Sequence, residues 1–394
     1  MVLNKLITSF NNLFGISHWE ENKKENDSGS PSFLGEEYST SDMPILSFDE
    51  KESEEEKPKK QFGVSRPQKW DDFIGESNKS LVERIKISCQ ASQKTGEPLE
   101  HLLFFGSGGL GKTTLSKIIA NETKCALYEI TGSTINKQLD IYNIMLDIVL
   151  LQLQGKKVIL FIDEVHDIAG KDSPVTLWYP IFEHYTFHHN LKGTVLRRDN
   201  EVFNIVDTYI SINPFTIIGA TTDPGMLPAP LRDRFTLSGI LKSYTVNDLS
   251  AILKSYSART GLIVTDEAAL ELSKRARGIP RIAINLLLAC KNRAIVFDSA
   301  EITTDTTRTE LRAQSIDIEG LNDLDYLVLD VLSRSKKGLG IANLAGSCCL
   351  NKTTILELVE PFLKQKGYME VTTRRCITDN GLKVLNSRKE RYGV

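Results

Sequence analysis

The stretch Gly106-Ser-Gly-Gly-Leu-Gly111-Lys112-Thr113 sets small residues where a backbone must wrap an anion, then a cation and a hydroxyl. It fits G-x-x-x-x-G-K-[ST] and follows the apolar run 102–105 directly. Amides exposed around Gly106, Gly109 and Gly111 would close on phosphates at a helix N-terminus. Lys112 would reach the β/γ oxygens of ATP, Thr113 would ligate Mg2+, and Thr114 would add a contact at the same helix start. The run VILFIDEVH supplies a second half. Its apolar residues bury a strand, and Asp163 then emerges at the C-terminal end, where a parallel sheet places its ligands. Asp163 would hold the metal through water, and Glu164 would orient the attacking water. His166 reads as a structural histidine.

A third group follows in FTIIGATTDPG and PLRDRF. A polar residue at the tip of a strand beside the metal strand can sense a terminal phosphate. Arg232 and Arg234 lie in a short segment without apolar periodicity, where a cation could reach a neighbouring subunit's nucleotide. Arg281, in RGIPRIA, stands at a helix start after Pro280.

These residues need a scaffold, and the apolar pattern predicts one. LLFF (102–105), ALYEI (126–130), KVILFID (157–163) and FTIIGAT (215–221) are continuous β-type runs separated by helical stretches. That is the pattern of an α/β fold, a parallel sheet covered on both faces. From about 245 the chain reads as nearly all helical. After about 316 it reads as three helices and a short hairpin around 368–378, with a recognition helix from about 352.

Composition narrows the classes. At 394 residues, 41% hydrophobic and 25% charged, the chain reads as a soluble protein of two or three domains. Its longest apolar run is broken by Asp147, so no membrane span is expected. No signal peptide is apparent at the N-terminus. Six cysteines without C-x-x-C spacing suggest reduced thiols in a cytoplasmic setting and no zinc site. Residues 20–56 hold thirteen acids against three lysines, and residues 1–19 add one lysine. With a whole-chain charge of -3, residues 57–394 therefore carry a surplus of about six cations. Such a body permits a nucleic-acid partner. Residues 1–17 place Leu3, Leu6, Ile7, Phe10, Leu13 and Phe14 on one helical face. This segment reads either as a docking helix for an unidentified partner or as a helix packed on its own protein. Residues 18–61 read as an acidic tether.

RPQKWDDFIGE, HLLFFGSGGLGKTTLSKIIANE, LFIDEVH, WYPIFEHY, PFTIIGATTDPGMLPAPLRDRF and RGIPRIAINLLL resemble, in order and spacing, the RuvB family. These are hexameric AAA+ motors that migrate Holliday junctions. The resemblance runs from about 62 to 385. It implies an AAA+ large domain at 62–241 with a hairpin insertion at about 184–213, a helical lid at 242–315 and a DNA-binding winged helix at 316–394. It also implies nucleotide contacts at Arg66, Ile74, Tyr244 and Arg281, a phosphate sensor at Thr222 and an arginine finger at Arg234, with Arg232 a second candidate. Its expected partners are duplex DNA at a four-way junction, further copies of the chain in a hexamer, and a RuvA-like protein gripped by the hairpin. A hinge near 242–246 would let the lid rotate.

The sequence departs from the family pattern in three places. Ser107 and Gly108 stand where two prolines are usual. The segment 184–213 is longer and carries His188 and His189, with Arg197 and Arg198 expected at a tip that meets DNA, another partner or only solvent. Wing arginines of the family align with Val371 and Cys376, with Arg374 and Arg375 nearby. Lys352, Arg374 and Arg375 are then the expected DNA contacts, supported by Lys364 and Lys366, in a sequence-independent footprint. Two other readings stay open beside the motor. One is an AAA+ loader or scaffold that switches on DNA or a protein without processive migration, and the other is a regulatory ATP-binding module.

Overall fold

The structure, a computed structural model, describes residues 66–170, 174–189, 195–198, 201–204, 208–335 and 337–392. The helix expected at 1–17 and the tether at 18–61 lie outside them, as do the side chains of His188, His189, Arg197 and Arg198.

After α1 (Lys79–Thr95), the apolar run forms β1 (Leu102–Phe105), and Lys112 opens α2 (Lys112–Thr123). β2 (Ala126–Thr131), α3 (Gln138–Leu153), β3 (Val158–Asp163) and α4 (Trp178–His184) follow. β4 (Thr186–His189), β5 (Val195–Arg198), β6 (Glu201–Asn204) and β7 (Thr208–Ser211) come next. β8 (Thr216–Thr221), α5 (Ala229–Arg232) and β9 (Leu237–Ile240) complete the first part. The main sheet has the order β2-β3-β8-β1-β9, and every pairing is parallel. Strand β3 sits next to β8, and β8 next to β1, so the ends of the three motif strands converge at one edge of the sheet. Ile159 to Ile162 are buried, as expected of a strand covered on both faces.

β9 was not among the strands read from the sequence. Its burial alternates along Leu237, Ser238, Gly239 and Ile240, and it lies at the sheet margin. Four residues with one glycine leave too short an apolar signal to be seen. Residues 189–211 belong to a separate compact unit, in which β5 and β6 form an antiparallel ladder. Arg197 and Arg198, expected at a tip, are the last two residues of β5 and form the final pairs of that ladder, opposite Val202 and Glu201.

The helical part comprises α6 (Val246–Thr260), α7 (Asp266–Arg275), α8 (Pro280–Val296) and α9 (Thr304–Ala313). Thr245 and Asp248 cap α6 reciprocally, each side chain accepting the other's backbone amide at 3.1 Å. Pro280 takes the first position of α8, where a missing N–H is harmless. The remaining part holds α10 (Asp323–Ser333), α11 (Ile341–Cys348), α12 (352–365), a wing of β10 (Met369–Val371) and β11 (Arg375–Ile377), and α13 (Asp379–Tyr392). Within α12, Ile355–Val359 form a π-helical turn. This part has its own core around Leu329, Leu332, Leu344, Ile355 and Leu363. α13 was not anticipated, since its Lys- and Arg-rich sequence has a weak apolar stripe. No helix among the described residues is long and apolar enough to cross a membrane.

Candidate functional site

The loop between β1 and α2 is built from backbone that side chains rarely adopt. Gly106, Gly109 and Gly111 take φ of 147°, 82° and 105°. A Cβ on Gly109 would stand 2.8 Å from Arg281 Cβ and 2.9 Å from Ile279 Cγ2, so the lid lies directly on the loop. Lys112 is buried, and its ammonium donates to the carbonyls of Gly106 at 2.6 Å and Ser107 at 3.3 Å. Burial lowers its pKa, Glu164 and Asp163 oppose that shift, and Arg281 adds to it. All four charges are therefore felt at one place. Thr113 and Thr114 occupy the first turn of α2 beside it.

Across the sheet, β3 ends on Asp163, whose carboxyl burial raises against the backbone amide of Glu164 donating at 3.1 Å. Glu164 adopts φ of 46°, a left-handed conformation costly for a side-chain-bearing residue. Its Oε2 accepts from both the amide and the hydroxyl of Thr222, each at 3.1 Å. The sensor candidate thus grips the carboxylate expected to orient water. His166 is nearer the chemistry than a purely structural reading supposes. Its Nδ1 lies 2.8 Å from Thr221 Oγ1 and 3.4 Å from Glu164 Oε2, while Nε2 lies 3.5 Å from Asp167.

The hinge residues meet the same loop. Tyr244 is buried, donates its hydroxyl to the Leu110 carbonyl at 3.0 Å and its amide to Gly278 at 2.9 Å. Burial raises its phenol. Ile74 is half-buried next to Gly75, where a Cβ would come 2.6 Å from the Tyr244 ring. Arg66 is exposed, and its carbonyl accepts from the Gln68 side-chain amide at 3.2 Å. Two residues of this region escaped the sequence reading. Phe73 would lie 3.5 Å from a Cβ on Gly111. Asn78 exchanges bonds of 3.1 and 2.8 Å with Lys242, fastening α1 to the hinge.

Arg234 is not a free surface cation. It pairs with Glu183 at 2.6 Å, donates to the Pro230 carbonyl and lies 4.5 Å over the Tyr179 ring. Its side chain is 20% exposed, and Nε is buried without a partner. Tyr179 and Glu183 stand four residues apart on α4, so one helix face orients the guanidinium. That i, i+4 spacing of an aromatic and an acid was the available signal, but its target is remote in sequence. Arg232 is exposed.

In the winged-helix part, Lys352 and Lys364 of α12 and Arg374 of the wing are exposed. Arg375, expected to meet DNA, instead pairs with Glu360 at 2.7 Å, with both side chains nearly buried. A charge held inside by a carboxylate has little left for a phosphate. Lys366 pairs with Glu319 at 3.3 Å.

The donor set fits a nucleoside triphosphate with a divalent cation: a left-handed glycine cradle, a buried ammonium held by two loop carbonyls, a threonine hydroxyl in the first turn of α2 and a carboxylate at the end of β3.

Comparison with known proteins agrees along the chain. Residues 65–241 match the family model for the Holliday junction DNA helicase RuvB P-loop domain. Residues 244–317 match the RuvB AAA lid domain, and 318–386 the RuvB C-terminal winged helix domain. A Holliday junction branch migration complex subunit RuvB from Nitratiruptor sp. is 35% identical over 310 residues, 78% of this chain and 87% of that one. The protein of the same name from Staphylococcus saprophyticus is 37% identical over 311 residues, 78% and 88% of the two chains. The solved Thermotoga maritima RuvB Holliday junction branch migration motor superposes with a TM-score of 0.68 at 31% identity, over 82% of this chain and 98% of that one. With three successive domains matched and relatives covered almost end to end, the chain belongs to the RuvB family.

Proposed function

We propose that the protein is an ATP-hydrolysing DNA motor that drives Holliday junction branch migration in recombination and repair. The observation that carries this reading is the convergence of Lys112, Asp163, Glu164 and Thr222 at one sheet edge with the lid loop of Arg281 seated on Gly109. The loop amides and Lys112 bind and neutralise the phosphates. Thr113 and Asp163 are the residues that would hold Mg2+, which supplies neutralisation of phosphate charge when bound. Glu164, anchored by Thr222 and flanked by His166, orients water toward the terminal phosphate. Arg66, Ile74 and Tyr244 frame the nucleotide, and Arg281 reports its terminal group to the lid.

Arg234 acts in trans, which requires a ring of copies, in this reading a hexamer. Its guanidinium is oriented by Glu183 and Tyr179. Rotation at 242–246 then turns phosphate loss into movement of one rigid body against another. The division into a large domain at 62–241, a lid at 242–315 and a winged helix at 316–394 follows from the same reading. Lys352 and Arg374 serve phosphate contacts in the winged helix, and a RuvA-like protein is the proposed partner of the 184–213 insertion.

The test is complementation. Lys112→Ala and Arg234→Ala proteins are each expected to lack ATPase, and their mixture to recover part of it, because a subunit with an intact P-loop can face a subunit with an intact finger. Mixed rings without recovery contradict a finger in trans.

A further inference from the structure

The connection between α7 and α8 together with the first two residues of α8, positions 276–281, touches three bodies within six positions. At one end the Arg281 amide donates to the Gly109 carbonyl at 3.4 Å. In the middle the Gly278 carbonyl accepts from Tyr244, and a Cβ on Gly278 would stand 2.9 Å from Ser243 Cβ. At the other end Arg277 leaves the lid altogether. Its guanidinium meets the Asp325 carboxylate at 2.5 and 3.4 Å, donates to the Leu358 carbonyl at 3.3 Å and lies 4.1 Å over the Phe362 ring. Asp325 is in the first turn of α10, while Leu358 and Phe362 belong to α12. Four positions therefore separate a bond to the P-loop from a clamp on the helix read as facing DNA.

Ordinary packing does not need this construction. Arg277 holds φ of 56°, a conformation a long side chain keeps only where its surroundings over-determine it. Asp325 has no exposed surface, and burial raises its carboxyl while Arg277 pulls the other way. Removing the guanidinium would leave a buried acid whose remaining hydrogen bond is the one it accepts from the Asn322 amide at 2.8 Å. The accepting carbonyl of Leu358 sits in the π turn of α12, just ahead of Pro361, which has no N–H to offer the helix. Strained backbone, a buried ion pair and a local helix irregularity coincide at one contact.

We propose that Arg277 is a positioning residue that transmits load between the winged helix and the nucleotide site, by fixing the Arg281 loop to α10 and α12. This deepens the reading above, on which Arg281 faces nucleotide and α12 faces DNA. A shift of α12 carries Arg277 with it, and the short, rigid connection passes the shift to Arg281 and Gly109. Coupling of this kind is reciprocal, so nucleotide must also be felt at α12.

Hydrogen exchange on the full chain, with and without a non-hydrolysable ATP analogue and without DNA, tests it. In the wild type the analogue is expected to slow exchange several-fold at 106–114 and also at 352–365. Arg277→Gln is expected to keep the effect at 106–114 and lose it at 352–365. Arg277→Lys keeps a cation for Asp325 but not the planar stack or the fork, and is expected to lose most of the distal effect while staying folded. Arg334→Gln, which removes an exposed ion pair elsewhere in the winged helix, is expected to match the wild type. A distal effect that survives in both Arg277 variants overturns the proposal, as does a wild type with no distal effect. Failure of the motor reading looks different: coupling is present, yet the protein moves no junction.

Discussion

Replacing Gly109 by alanine isolates the contact on which the proposed nucleotide sensing by the lid depends. The residue sits at φ of 82°, where an L-residue pays about 1–2 kcal/mol. Its new methyl would meet Arg281 Cβ at 2.8 Å and Ile279 Cγ2 at 2.9 Å, against ordinary carbon contacts of roughly 3.5–4.0 Å. The lid must then withdraw by about 1 Å, and Arg281 withdraws with it. Without nucleotide the loop can open and shed this strain. Binding demands the closed form, so the strain reappears in the affinity as about 2 kcal/mol, or roughly 30-fold weaker binding. Gly108→Ala is the matched control, because its Cβ would meet nothing within 4 Å and its backbone is not left-handed. Titration with a fluorescent ATP analogue should show the large loss for Gly109→Ala and a change within about twofold for Gly108→Ala. Equal affinities for the two variants would refute the claim that the lid closes on this loop.

Other outcomes follow from the same geometry. Glu164→Gln should retain nucleotide binding and lower turnover by about 10²- to 10⁴-fold, read by single-turnover hydrolysis, whereas normal turnover would remove Glu164 from its role. Asp163→Asn should abolish hydrolysis yet stabilise the fold. Burial raises the Asp163 carboxyl, so its charge disfavours folding above the unfolded value and that penalty fades as pH falls. The thermal midpoint should rise at pH 8 and rise less near pH 4. Arg375→Ala should destabilise the winged helix by about 3 kcal/mol, since Glu360 is left almost buried and unpaired. Arg374→Ala should spare stability and reduce the slope of DNA affinity against salt by about one unit.

Local signals made the candidate site readable. The P-loop, the Asp163–Glu164 strand end and Thr222 each sit in a few consecutive residues whose types and order imply their conformation, and the sheet brings those strand ends together. The parallel sheet was readable because β1, β2, β3 and β8 are continuous apolar runs. What escaped depends on pairs brought together only by folding. Glu183 finds Arg234, Arg277 finds Asp325 across 48 residues, and Arg375 turns inward to Glu360. Arg234 reads as a finger and Arg375 as a DNA contact from the sequence, and nothing local to either names the carboxylate that the fold sets against it. β9 escaped for a different reason, being a four-residue margin strand with half its side chains in solvent.

The most direct trial of the account is movement of a labelled synthetic four-way junction by the full chain, supplied with a RuvA-type junction-binding protein. Separated duplex products should accumulate with ATP and Mg2+, and should vanish when every subunit carries Glu164→Gln. Sustained ATP hydrolysis beside an unmoved junction would contradict it, and would leave a nucleotide-driven switch in place of a motor.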